Sequence, residues 1–366
     1  MNVLKGQVWC YRVFDIAEGV DLDVARRLLA QDSRRLKFDR EGSEFIQLPN
    51  PPLQVELGIR RLELKAGAVE ADLAVRLFDH GAMSVLLRVP IARGTSLTEL
   101  IPLADELYDS ASVDEVARAT LESLRATLAP AVEAAHLWNQ HEGYGVVFVE
   151  SFESPVSASQ VLADPALPRL LLGETKETRL SAQESADVLQ QHFSYSENDL
   201  VVVDWNAAFV YEPSGSRDVP DLIEIANAQL LELRYYDDVL DRQLKRVYDA
   251  MGERRADTML ASPYKKLSRE LMLTLIELSE FIERVENSLK IVGDFYLARV
   301  YESAVRQLRV DSWKVQVARK LKLLSQTYAL LRGEVDTRRS LTLEMMIVVL
   351  ILVEMVIAML QLVPHK

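Results

Sequence analysis

The apolar stretch that ends at residue 363 constrains the architecture more than any other part of the chain. Residues 345–363 carry a single charged side chain, Glu354. As a helix they would rise roughly 28 Å, which is close to the ~30 Å hydrocarbon core of a bilayer. Three residues follow, Pro364, His365 and Lys366. The pattern predicts a single C-terminal transmembrane helix over residues 341–363.

The charges beside this stretch predict its orientation. Arg332, Arg338 and Arg339 precede it, whereas only Lys366 follows with a full positive charge. Lys and Arg accumulate on the cytoplasmic side of a span, and the N-terminus shows no signal-peptide pattern. We therefore expect a tail-anchored, single-pass protein of the cell inner membrane, with a cytoplasmic N-terminal body and its C-terminus outside.

Composition excludes several function classes. The chain has 366 residues and a net charge of −13, which argues against a nucleic-acid surface that covers the whole molecule. Its one cysteine, Cys10, excludes an internal disulfide framework and a cysteine-based metal site. Because Cys10 lies in an apolar run, we expect it to be buried.

Two mixed domains are expected before residue 220. Residues 1–95 contain short alternating strands separated by turns, which indicates a small α/β domain with antiparallel hairpins. Residues 96–220 begin with a capping-box pattern, Ser96-Leu-Thr-Glu99, and later contain the strand-like run 144–150. They are predicted to form an α/β domain with a helical insertion.

Residues 221–340 are expected to form a helical bundle or a coiled-coil stalk. Apolar residues recur at alternating spacings of four and three along three successive segments. Such seams pack helix against helix, either in an antiparallel bundle within one chain or in a coiled coil between subunits, and the two arrangements are compatible. In the last segment the predicted seam consists of Val317, Leu321, Leu324, Tyr328, Leu331 and Val335. The predicted fold class is thus α+β, with the helical stalk and the transmembrane helix at the C-terminal end.

Two glutamates mark the C-terminal stretch as a contact surface. Glu344 lies at its start and Glu354 near its middle. A carboxyl group among apolar side chains needs protonation or a hydrogen-bond partner, and a single span offers no second helix of its own. We expect both residues to take part in helix association; a Glu354 that is merely tolerated is the alternative.

No catalytic or cofactor motif accompanies these features. The chain contains no phosphate-binding glycine loop, no nucleophile elbow and no zinc-protease motif, so we expect no cofactor, no metal and no catalytic residue. Asp204, Trp205 and Asn206 form a polar cluster beside a strand, which is either a ligand site or a turn with a packing tryptophan. Basic residues at 314–322 form either a solvated helix face or a contact with RNA or lipid headgroups.

Several segments in the second half carry a family resemblance. They are Val201-Val-Val-Asp-Trp-Asn206, Gln229-Leu-Leu-Glu-Leu-Arg-Tyr-Tyr-Asp237, Tyr296-Leu-Ala-Arg-Val-Tyr301 and the run 338–354. In this order they resemble the uncharacterised-domain family that includes the mitochondrial "required for meiotic nuclear division protein 1" and the yeast Rmd sporulation proteins. The resemblance covers about residues 144–363 and implies a homo-oligomeric inner-membrane protein that supports translation.

The expected function combines these observations. We expect a membrane-anchored, self-associating scaffold or tether, with a ribosome or another membrane protein as the further partner that the resemblance implies. Specific recognition of nucleic acid is not expected, and the lack of catalytic motifs favours a protein that is not an enzyme. The alternative is a membrane-bound enzyme with its site near residues 144–150 and 199–206.

Overall fold

The chain folds into two units in a computed structural model. The structure describes residues 1–29, 33–38, 46–176, 179–252, 269–276, 278–279, 290–291 and 294–362. The first unit comprises residues 1–235 and 283–314, and the second comprises residues 236–282 and 315–366.

A nine-stranded sheet is the centre of the first unit. The strand order is β10-β11-β12-β9-β1-β7-β6-β5-β3, and neighbouring strands are antiparallel except for the parallel pair β9 and β12. Two short pairs, β2 with β8 and β4 with β13, lie outside it. The strands are β1 Val3–Asp15, β2 Ala17–Val20, β3 Ser33–Arg35, β4 Ile46–Gln47, β5 Leu53–Leu64, β6 Gly67–Leu77, β7 Ala82–Pro90, β8 Val132–Ala135, β9 His141–Phe152, β10 His192–Phe193, β11 Leu200–Val203, β12 Ala207–Tyr211 and β13 Lys290–Ile291.

The described helices differ greatly in length. Two of them, α7 and α9, have 35 and 53 residues, and each contributes residues to both units. A further helical stretch lies at residues 269–276. The helices are α1 Leu22–Leu29, α2 Leu97–Tyr108, α3 Ala111–Leu128, α4 Ala158–Leu162, α5 Ala166–Leu172, α6 Ala182–Val188, α7 Asp218–Gly252, α8 Phe295–Gln307 and α9 Val310–Leu362.

Strand β1 shows how the sheet separates two layers of helices. Because side chains alternate along a strand, Cys10 and Phe14 face a core formed with α1 to α6, while Trp9 and Tyr11 face the opposite side. There the Tyr11 hydroxyl donates to the Pro220 carbonyl in the first turn of α7. Strands from both sides of residue 95 lie in this one sheet, since β1 pairs with both β7 and β9.

The first half of α7 is buried on every side, although it carries charged residues. The side chains from Asp218 to Leu233 are all buried, between the sheet on one side and α8, whose Tyr301 hydroxyl donates to Gln229 at 2.8 Å. Arg76 of β6 pairs with the carboxylates of Asp221, at 2.9 Å, and Glu224. Burial lowers the pKa of Arg76, but the two carboxylates more than offset this and raise it. A buried charge is tolerated only when it is paired, so this network lets a charged helix pack on the sheet.

The second unit contains three helical segments joined by side-chain contacts. One buried pair of residues seven apart lies on each segment: Leu240 and Val247, Leu271 and Leu278, and Val317 and Leu324. Lys320 of α9 pairs with Asp237 at 2.8 Å and with Asp241 at 2.6 Å. The seven-residue spacing that the sequence predicts for helix packing is therefore found between helical segments of one chain.

The predicted α+β class and its antiparallel hairpins are confirmed, but the predicted transmembrane helix is wrong. Within the described residues, no helix combines the length and the apolarity needed to cross a membrane. Residues 341–362 are instead the end of α9, a 53-residue helix in which charged side chains occur as far along as Glu354. The expected tail anchor and inner-membrane location, with the C-terminus outside, are wrong on the same finding.

Substitution of adjacent leucines in α9 tests the helix packing. Leu324 is fully buried, whereas Leu323 beside it is 43% exposed. We expect Leu324→Ala to lower the free energy of unfolding by about 2–5 kcal/mol, because a cavity replaces a packed side chain. Leu323→Ala is the matched control and should change it by less than about 1 kcal/mol. Equal effects in chemical denaturation would contradict the assigned packing.

Candidate functional site

The predicted cluster Asp204-Trp205-Asn206 forms the turn of a β-hairpin. It joins β11 to β12, and the Asp204 amide donates to the Ala207 carbonyl at 2.9 Å to close the turn. Strand β9 fixes the turn from the side: the Gly145 amide donates to the Asn206 carbonyl at 3.0 Å, and the Tyr144 hydroxyl donates to the Asp204 carbonyl at 2.8 Å. The structure thus brings the two segments of the proposed site, 144–150 and 199–206, into direct contact.

A cavity of about 400 Å³ opens beside this turn, and we call it the hairpin cavity. It is lined by Asp204 to Asn206, by Gly145 to Val147 of β9, and by residues at the ends of α2 and α5. Asp105 and Asp109 of the α2 end contribute two further carboxylates. Volumes of a few hundred Å³ with a few convergent polar groups are typical of small-molecule sites.

Burial shifts the pKa of two of these carboxylates, Asp204 and Asp105. It raises the pKa of Asp204, against a backbone hydrogen bond from Trp205 that lowers it. Burial also raises the pKa of Asp105, with nearby acidic groups adding to the shift. Gly173 at the end of α5 lies against Asp105; it has φ of 63°, and a Cβ there would come within 2.6 Å of the carboxylate. A close approach of this kind requires glycine.

Trp205 is only partly packed. It is 47% exposed, and the Arg309 guanidinium lies 4.6 Å from its ring centroid. Arg309 has φ of 53°, an uncommon conformation for a residue with a side chain, between α8 and α9. The exposed ring, the half-buried carboxylates of Asp105 and Asp204 and the cation form an arrangement that can bind a polar ligand. No nucleophile with an adjacent base is assigned to it.

The predicted seam and glutamates of α9 have distinct environments. Val317 and Leu324 are buried, while Leu321 and Tyr328 are half-buried; the Tyr328 hydroxyl lies 3.8 Å from the Met272 sulfur. The side chains of Leu331 and Val335 lie outside the described residues. Glu344 and Glu354 are exposed. So is every described side chain from Leu341 to Ile357, a segment that we call the apolar end of α9.

A second, larger cavity was missed by sequence reasoning. It has a volume of about 780 Å³, lies on the α7 side of the sheet, and is lined mainly by basic side chains; we call it the basic cavity. Its residues come from seven separated segments, which lie in or next to β1, α1, β3, β5, β6, β7 and the start of α7. The one available signal was local: Ser33-Arg-Arg-Leu-Lys37 is a dense basic run in a chain of net charge −13.

Metal and thiol chemistry find no support in the described part of the chain. There, no group of three His, Cys, Asp or Glu side chains is placed to hold a metal ion. Cys10 is buried, and burial raises the pKa of its thiol to about 12. A thiol of this kind stays protonated and behaves as a small apolar side chain.

Comparison with known proteins identifies the family. Residues 5–218, more than half of the chain, match the family described as "Uncharacterized protein MJ0711, N-terminal domain". The chain belongs to this family. It is 29% identical over 174 residues to "Uncharacterized protein MJ0711" of Methanocaldococcus jannaschii, an alignment that covers 47% of this chain and 53% of the relative. The chain thus spans about half the length of the relative that it matches.

The match overlaps the resemblance given above only over residues 144–218. The family domain ends at residue 218, where α7 begins, and it contains every strand of the nine-stranded sheet. Both cavities lie mostly within it. Membership of an uncharacterised family is therefore confirmed on residues 5–218, whereas the relationship to the Rmd proteins is not confirmed.

The pH dependence of the free energy of unfolding tests whether burial of the Asp204 carboxylate destabilises the folded chain. Burial raises the pKa of Asp204 in the folded chain. The folded state therefore loses stability as the pH rises from 3.8, the ordinary pKa of the group, through the raised pKa. We expect Asp204→Asn to raise the free energy of unfolding at pH 7, with the gain disappearing as the pH approaches 3.8.

The exposed Asp72 of β6 offers a matched control, and Asp72→Asn should leave the free energy of unfolding nearly unchanged. A loss of stability in Asp204→Asn at pH 7 would show that the carboxylate is a structural part of the turn. Stability measured by denaturant at several pH values distinguishes the two results.

Proposed function

We propose that this protein is a self-associating scaffold whose subunits pair through the apolar end of α9. The observation that carries the proposal is the exposure of this segment. Its described side chains are each about half exposed or more, and Leu350 reaches 66%. Isolated monomers rarely expose so large a contiguous apolar surface, which is typical of interaction sites.

A second copy of the chain is the partner that this segment favours. Helix α9 already packs on other helices at Val317 and Leu324, and its apolar end extends the same helix. Two identical helices can bury such a segment against each other in a twofold contact. Full burial of a Val, Leu, Ile or Met side chain contributes roughly 1.5–3 kcal/mol, so several pairs outweigh an association cost of about 4–15 kcal/mol.

Glu344 and Glu354 set the register of the proposed pair. They are ten residues apart and lie on an otherwise apolar segment. When a carboxyl group is buried in an apolar contact, it needs a hydrogen-bond partner. In the proposed pair that partner comes from the second helix, which makes both glutamates the polar contacts of the interface.

The finer family relationship also belongs to this proposal. We infer from residues 201–206, 229–237 and 338–354 that the family is distantly related to the Rmd proteins. Support of translation would then be the role of the scaffold, and a ribosome its further partner.

A second candidate function is ligand binding or catalysis in the hairpin cavity. It is favoured by the contact between β9 and the turn 204–206, and by the carboxylates of Asp105 and Asp204 whose pKa burial raises. Carboxyl groups with raised pKa values cluster at functional sites.

Sedimentation of the full chain tests self-association. In buffer with a mild non-ionic detergent, we expect a dimer or a larger assembly that Leu350→Lys shifts to the monomer, because a charge on each partner is forced into the apolar contact. Leu330→Lys is the matched control: Leu330 is an exposed leucine of the same helix, 70% exposed, outside the apolar end. Glu354→Gln should also weaken the assembly.

A monomeric wild-type chain would contradict the proposal, as would an assembly unchanged by Leu350→Lys and Glu354→Gln. Chemical crosslinking in cells identifies the partner. Crosslinks from residues near 340 to a second copy support self-association, whereas crosslinks to ribosomal proteins alone would show that the segment binds another partner.

A further inference from the structure

We propose that the basic cavity binds a small organic ligand with two or more phosphate groups. The proposal concerns the first unit and is independent of self-association through α9. Seven basic side chains and one carboxylate line this cavity, in a chain whose net charge is −13. A concentration of positive charge against the sign of the whole molecule indicates an anionic ligand.

The inner wall of the cavity is formed by two buried arginines. Arg76 and Arg88 are 3% and 6% exposed, and both line the cavity. They lie on neighbouring strands, where Arg76 of β6 is opposite Ser84 and Arg88 of β7 is opposite Asp72, so the sheet fixes their direction. Arg88 pairs with Glu56 through one nitrogen at 2.5 Å. In the described part of the chain, the Nε atoms of both arginines have no hydrogen-bond partner.

The rim supplies cations that are not neutralised within the described chain. Arg26, Lys37 and Arg217 line the cavity, and no ion pair involves them among the described residues. The Arg217 guanidinium lies 5.7 Å from the ring centroid of Trp9, which holds it over the sheet. Arginine binds phosphate through two parallel hydrogen bonds, and stacking on an aromatic ring prepares its planar group for this contact.

Among the described residues, the charge balance of the cavity remains positive after the ion pairs are counted. Arg35 pairs with Asp23 at 2.6 Å, Arg34 and Arg88 share Glu56, and Arg76 is held between two carboxylates. Seven cations thus line the cavity and four carboxylates pair with them in this part of the chain, which is an excess of three positive charges. A ligand with two phosphate groups carries a charge of about this size.

The volume favours a small organic molecule over a bare phosphate or a nucleic-acid strand. About 780 Å³ lies within the range of sites for drug-sized ligands, and exceeds the space that a pyrophosphate fills. Leu36 and Leu86 provide an apolar wall beside the arginines, where an organic group can pack. Strand-binding surfaces instead use open grooves with exposed aromatic rings, and Trp9 is only 1% exposed.

Calorimetric titration of the full chain with ADP and with inorganic pyrophosphate tests the proposal. We expect saturable binding of both, tighter for ADP, and weaker binding as the salt concentration rises. In the triple variant Arg26→Gln, Lys37→Gln and Arg217→Gln, the affinity should fall by at least about tenfold, because charge-assisted contacts to phosphate are lost.

The matched control removes three charges elsewhere in the same unit. Arg60, Arg118 and Arg179 are exposed and do not line the cavity. Their triple replacement by Gln should change the affinity by less than about threefold, as expected for distant, screened charges. Circular dichroism must show that both variants keep the wild-type fold. Leu350→Lys should bind ADP as the wild type does, which keeps this result separate from that of self-association.

Four results would overturn the proposal. The first is no binding of ADP by the wild type, and the second is an equal loss of affinity in the two triple variants. The third is an affinity for pyrophosphate that equals or exceeds the affinity for ADP. The fourth is tighter binding of a single-stranded RNA of about 15 nucleotides, lost in the cavity variant, which would assign the basic cavity to nucleic acid.

Discussion

The buried ion pairs of Arg76 with Asp221 and Glu224 are the interaction on which the first unit depends. Helix α7 is buried on every side from Asp218 to Leu233, yet it carries acidic residues through this stretch. Without a cation in the sheet, the carboxylates would be removed from water at a large cost. Arg76 supplies that cation, and α7 can therefore cover the sheet face that also carries Trp9 and Arg88. The basic cavity lies against this same face, since Trp9, Arg76 and Arg88 line it.

The cations of the basic cavity differ in how they are held. Arg76 and Arg88 are fixed by acidic partners, whereas Arg217, the last residue before α7, lies over Trp9. Asp221, the internal partner of Arg76, follows in the first turn of α7, and both Arg217 and Asp221 line the cavity. A residue that stabilises the fold and a residue of the proposed ligand site therefore lie close together at the start of α7, where the family match also ends.

The sequence predicted local elements far better than their combination. Alternating residues predicted the hairpins, and the seven-residue spacing of Val317 and Leu324 predicted helix packing. The polar cluster at Asp204 was found because its residues are contiguous. The basic cavity was not found, because its arginines are separated by up to about 190 residues and only the sheet brings them together. The transmembrane prediction was wrong because, among the described residues, no helix has both the length and the apolarity to cross a membrane, and the apolar run is the end of a 53-residue helix.

The most direct test of this account is the stability of the Arg76→Ala variant. Removal of one partner leaves buried carboxylates unpaired, so chemical denaturation should show a loss of about 3–5 kcal/mol in the free energy of unfolding. Arg61→Ala removes an exposed ion pair with Glu63, and both residues lie on β5, the strand beside β6. This variant should lower the free energy of unfolding by less than about 1 kcal/mol. Hydrogen exchange should become faster at the start of α7 in the first variant alone. A loss for Arg76→Ala as small as that for Arg61→Ala would contradict the account.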